Sequence, residues 1–84
     1  MYDVYLILRS VTYGQMARAA LDRANIPGRL IRSPRELAPS GCAYALLISA
    51  RDFRYAVQLL KAERIVPTGC FQKMPDGSFV RLEP

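Results

Sequence analysis

Eighty-four residues, 51% hydrophobic and with a formal net charge of +5, make room for one small domain, residues 1–84, with a single core. The chain has no histidine, which excludes a Ser-His-Asp triad, a Cys-His dyad and histidine-containing zinc sites. The two cysteines, Cys42 and Cys70, are too few for an all-thiolate metal site within one chain, so no metal or cofactor is called for.

Met1-Tyr-Asp3 leads straight into a strand-like run, with neither a basic leader nor a long apolar one. No secretory signal is therefore expected, and the cysteines read as reduced and cytoplasmic. The longest apolar runs, Val4 to Leu8 and Ala43 to Ile48, are far too short to cross a bilayer.

Val4-Tyr-Leu-Ile-Leu8 reads as the first strand. The period then changes: Tyr13, Met16, Ala17, Ala20, Leu21 and Ala24 form one stripe of an amphipathic helix. Thr12 with Gln15 suits a capping box at its start, and Arg18 with Asp22 an ion pair on its outer face. Asn25-Ile-Pro27 stops it. Gly28 to Arg32 is a short second strand, Ser33 to Gly41 a loop, and Cys42 to Ile48 the third strand. Ser49 then caps a second helix with the stripe Phe53, Ala56, Val57, Leu60. Thr68 to Met74 is the fourth strand, Pro75-Asp-Gly77 a turn, and Phe79 to Leu82 a short returning strand.

The order β-α-β-β-α-β with short links predicts an α+β, ferredoxin-like layout. It has an antiparallel sheet, two helices on one face, central strands one and three, and a short C-terminal hairpin. Both parities of the central strands are apolar: Val4, Leu6 and Leu8 alternate with Tyr5 and Ile7, and Ala43, Ala45 and Leu47 with Tyr44, Leu46 and Ile48. The pattern does not say which parity meets the helices. It does say that the other face needs cover, from a second copy of the chain through the sheet or from the C-terminal hairpin.

In this layout Cys42 opens the third strand beside Arg9 and Ser10, with Arg32 and Arg35 approaching from the loop. Positive charge and a nearby helix N-terminus favour the thiolate, which is the nucleophilic form. Gly41 lets the backbone come close to a ligand or partner. The plainer reading of Cys42 is a small apolar strand residue. Cys70, on the fourth strand, reads as a core cysteine. It should lie about two strand spacings, roughly 9–10 Å, from Cys42, too far for a disulfide.

The run Ser33-Pro-Arg-Glu-Leu37 followed by Gly41-Cys42-Ala-Tyr-Ala-Leu46, with Ala24-Asn-Ile-Pro27 ahead of it, resembles the signature of a small bacterial family, DUF3343, described as selenium/sulfur carrier-like. The resemblance covers most of the chain, from residue 2 to residue 72. It implies that Cys42 is a carrier thiol and that Pro34, Arg35 and Gly41 shape its loop. The implied partners are a cysteine desulfurase, or another sulfur or selenium donor, and an acceptor protein. Such a carrier requires no general base, and the seven carboxylates are scattered singly along the chain.

Two other classes stay open. RNA-recognition modules share this topology and stack bases on aromatics of strands one and three. Here the first strand carries Tyr5 and the third only Tyr44, without the basic-Gly-aromatic pattern, which makes nucleic acid an unfavoured partner. A ferredoxin-like interaction or regulatory module with an incidental cysteine is the other, because fold alone does not choose among these.

Overall fold

Five strands and two α-helices follow one another in the computed structural model, which describes residues 1–39, 41 and 43–84. They are β1 (Val4–Leu8), α1 (Val11–Arg23), β2 (Arg29–Arg32), β3 (Tyr44–Ile48), α2 (Phe53–Ala62), β4 (Gly69–Lys73) and β5 (Phe79–Arg81). Single 3-10 turns lie at Arg35–Leu37 and Ala50–Asp52. The strands form one antiparallel sheet in the order β2-β3-β1-β4-β5. This is the expected α+β, ferredoxin-like arrangement, with β1 paired to β3 and a C-terminal strand added outside β4.

Both parities of β1 and β3 are buried, by different partners. Val4, Leu6 and Leu8, with Leu46, Ile48 and Cys70, join Ala17, Ala20, Leu21, Ala56 and Leu60 in the core under the helices. Tyr5, Ile7, Ala45 and Leu47 form a second cluster on the opposite face, closed by Leu37 and Ala38 of the loop and by Phe71 and Phe79. Ile7 is 2% exposed and Ala45 fully buried within one chain, so a second copy is not required to bury them. Phe79 of the expected hairpin packs edge-on against Tyr5, ring centroids 5.1 Å apart. The turn before it follows the type I rule of proline second and glycine fourth: the Gly77 N–H bonds to Met74 O at 2.9 Å, and Gly77 takes φ +90°.

The helix ends differ from the sequence reading in ways that local chemistry explains. Ser10, not Thr12, caps α1, its Oγ accepting from the Tyr13 N–H at 3.2 Å. Both residues suit a cap; the earlier one stands where the chain leaves β1 in extended conformation. Apart from Met16, the expected stripe stands: Ala17, Ala20 and Leu21 are buried, with Tyr13 and Ala24 packed against the same core. Met16 is 46% exposed, and Gly14 faces inward instead. A methyl group at Gly14 would come within 2.9 Å of Leu30 Cδ1, so the missing side chain lets α1 lie close on β2. Arg18 and Asp22 do not pair; among the described residues the one ion pair is Arg23–Glu63, 2.8 Å, between the two helices. Ser49 precedes the Ala50–Asp52 turn without a side-chain capping bond, and Asp52, which precedes α2, makes none either.

Both helices end in the same motif. At α1, Asn25 takes φ 59°, its N–H bonds to Asp22 O and the Ile26 N–H to Leu21 O. At α2, Arg64 takes φ 62°, its N–H bonds to Lys61 O and the Ile65 N–H to Leu60 O. These are Schellman ends, and each buries the isoleucine that follows, Ile26 and Ile65.

Candidate functional site

The carrier candidate, Cys42, lies outside the described residues, as does Ser40; the elements around them are described. β1 ends at Leu8, opposite Tyr44 of β3, and Tyr44 in turn lies opposite Arg32 at the end of β2. The Ser33 N–H bonds to Ala43 O at 3.0 Å, tying the start of the loop to the residue after Cys42. From there Pro34, with φ −56°, turns the chain into the Arg35–Leu37 turn. Gly41 has φ +99° and an N–H bond to Ala38 O at 3.0 Å. A side chain at Gly41 would meet nothing within 4 Å, so the requirement for glycine is conformational.

The arginines do not converge on a single point. Arg9 donates from Nη2 to Tyr13 Oη at 2.7 Å and lies over the Tyr13 ring, 4.4 Å from its centroid. Arg32 lies over Tyr44, 5.8 Å from its centroid, on the helix side of the sheet. Arg35 is exposed on the loop. Arg9 and Arg32 therefore flank the start of β3, with one strand between them.

Two clefts open at this end of the sheet. One, about 360 Å³, lies on the loop side and is lined by Ile7, Arg9, Leu37, Ala38, Ala43 and Thr68 among others. The other, about 220 Å³, is lined by Leu8, Arg9, Tyr13, Arg64, Val66 and Thr68. Thr68 is pinned to the end of β1 by its N–H (2.8 Å) and its hydroxyl (3.3 Å), both donated to Ile7 O. Tyr13, Arg64 and Thr68 were not foreseen as site residues. For Arg64 the sequence holds a signal: Arg64-Ile-Val-Pro67 repeats the helix-stop pattern of Asn25-Ile-Pro27 with a cation in place of asparagine.

Cys70 is a core residue. It lies opposite Leu6, is 3% exposed, and belongs to the cluster under the helices. Burial pushes its thiol up to about 11, against the pull of Arg81, so at neutral pH it is protonated and inert as a nucleophile. Tyr5 and Tyr44 do not make a base-stacking platform. Strand alternation puts them on opposite faces, and Tyr5 is 8% exposed beside Phe79.

The sequence profile of one protein family, described as "Putative Se/S carrier protein-like", matches residues 3–72. The chain belongs to this family. Searches of curated proteins and of solved structures gave no significant match. The family match spans β1 to β4, including the loop with Cys42, and stops before β5. No described helix is long and apolar enough to cross a membrane.

Proposed function

We propose that this protein carries sulfur or selenium as a persulfide, or its selenium analogue, on Cys42, and acts among the reduced thiols of the cytoplasm. The observation that carries this reading is membership of a family described as selenium/sulfur carrier-like, with Cys42 inside the matched residues. Two features support it. Cys70 is removed from thiol chemistry by burial. The strand that follows Cys42 starts between Arg9 and Arg32, whose positive charge favours a thiolate nearby.

The transfer is thiol–disulfide-type exchange. The Cys42 thiolate attacks the outer sulfur of a donor persulfide, R–S–SH. The new S–S bond forms as the donor S–S bond breaks, the donor leaves as R–S⁻, and the carrier holds Cys–S–SH. An acceptor thiolate then repeats the exchange on that outer sulfur. No net oxidant is needed. Pro34, Arg35 and Gly41 shape the loop that presents the thiol, and a cysteine desulfurase with an acceptor protein are the partners.

The test is to incubate the protein with a cysteine desulfurase, pyridoxal phosphate and cysteine, then to take intact and peptide masses without reductant. One added sulfur on the Cys42 peptide, absent from Cys42→Ser and unchanged in Cys70→Ala, is the expected result. No adduct, together with a Cys42 inert to a thiol probe in the folded protein, rejects the carrier role and leaves an interaction module.

A further inference from the structure

The smaller cleft, between the end of β1 and the end of α2, holds two cations and no carboxylate: Arg9 and Arg64 line it with Leu8, Tyr13, Val66 and Thr68. We infer that this cleft, with Arg9 and Arg64 on its walls, binds a small tetrahedral oxyanion carrying two negative charges.

Three observations support the inference. The first is charge. Among the described residues the one ion pair uses Arg23 and Glu63, so neither Arg9 nor Arg64 is neutralised by a carboxylate. The second is order. An exposed arginine is ordinarily a flexible, solvated group, whereas Arg9 is held by a hydrogen bond to Tyr13 Oη and by the face of the same ring. One of its five N–H donors is used there, and the rest keep the fork geometry that suits paired oxyanion oxygens. Much of the entropic cost of fixing that side chain is met before a ligand arrives.

The third is the cost of Arg64. The equivalent position of α1 holds Asn25, a residue that tolerates the left-handed conformation, and glycine would be easier still. At φ 62°, Arg64 carries a backbone penalty that its own helix end does not require. Arg64 lines the same cleft as the fixed Arg9.

A cleft of about 220 Å³ has ample room for one tetrahedral oxyanion, since about 10–15 Å³ of such volume already holds a water. Arg9 and Thr68 also line the neighbouring cleft that reaches Ala43. An anionic sulfur or selenium species drawn here would gather at the end of the sheet where the Cys42 loop rejoins β3. Binding is read without Cys42, so failure of Cys42 to load sulfur leaves this inference standing.

The experiment is a titration of the ¹⁵N-labelled protein with sodium sulfate and, separately, sodium thiosulfate, each against sodium chloride at matched ionic strength. The expected result is saturable shifts in the amides of Arg9, Tyr13, Arg64, Val66 and Thr68. Removing one charge-assisted contact should weaken binding about tenfold in Arg9→Ala and in Arg64→Gly. Arg64→Gly should do so while its melting temperature stays level or rises, which separates lost charge from lost fold. Arg18→Ala, on the outer face of α1, should bind as the parent does. Shifts no larger than with chloride, shifts spread evenly over the other arginines, or undiminished affinity in Arg64→Gly would each overturn the inference.

Discussion

On one side of the sheet Leu6, Leu46 and Ile48 lie under two helices with no exposure; on the other Tyr5 and Leu47 keep 8% each beneath a loop and a phenylalanine. Both layers are apolar, but their covers differ in kind. The helices are held by their own hydrogen bonds and by an interhelical ion pair. The loop-side cover consists of one 3-10 turn and a three-residue strand. The comparison teaches that equal burial of a strand need not mean equal resistance to opening, because cover built from short, locally closed segments can open in part.

The largest expected difference is between neighbouring leucines of β3. Leu46→Ala should cost about 3–4 kcal/mol, near the upper part of the range for fully buried leucine. Leu47→Ala should cost about 2 kcal/mol, since the thinner cover on this face can settle into the space. Urea unfolding of the pair measures both, and equal losses would remove the distinction between the faces.

The second test uses the thiol on the helix side. Cys70 ionises near 9.0 when free and near 11 when folded. Below pH 9 both states hold the proton and nothing changes. Between the two values the unfolded chain releases its proton while the folded one keeps it, so stability falls as pH rises and levels off above the folded value. The loss should be on the order of 2 kcal/mol, read as the difference between the parent and Cys70→Ala across pH 8 to 11.5. A flat difference would mean that the helix side admits water.

A smaller effect is expected on the loop side. Phe79→Ala removes a half-buried ring and its edge-on contact with Tyr5, for a loss of about 1–2 kcal/mol. Tyr5 fluorescence should then become accessible to acrylamide, while the amides of α1 and α2 exchange as before. The smallest change goes the other way. Arg64→Gly relieves a left-handed residue and should raise stability by up to about 1 kcal/mol, whereas Asn25→Gly should gain only a few tenths.

The order of elements and the pairing of β1 with β3 were legible because Val4–Leu8 and Ala43–Ile48 are short apolar runs with helical stripes between and after them. Which parity faced the helices was not legible, since that signal is a contrast between a dry face and a wet one, and Tyr5, Ile7, Ala45 and Leu47 are as apolar as their neighbours. The cap of α1 was not legible, because Ser10 and Thr12 both suit it, and neither was the edge of its stripe, where Met16 points outward and the small Gly14 takes an inward place. Of the candidate site, the placement of Arg9 and Arg32 on either side of the start of β3 followed from topology, while Cys42 itself falls outside the described residues. The second arginine of the smaller cleft was legible as a helix stop but not as a site residue, because Arg64 comes from the far end of α2, distant in sequence from every residue of the Cys42 loop.

The outermost strands have a further consequence, for what the chain does at high concentration. A strand with a bare edge offers its free N–H and C=O groups to any passing copy, and a chain rich in apolar β-formers is at risk of indefinite stacking. Here β2 is four residues long and begins and ends with exposed Arg29 and Arg32, while β5 has three residues and finishes on exposed Arg81. A copy adding antiparallel at β2 would bring guanidinium against guanidinium at both ends of a very short ladder, where like charges repel and few new bonds repay them. The basic flanks thus act as gatekeepers against fibre growth, and the same charge that invites an anion at one end of the sheet keeps its sides from recruiting more of themselves.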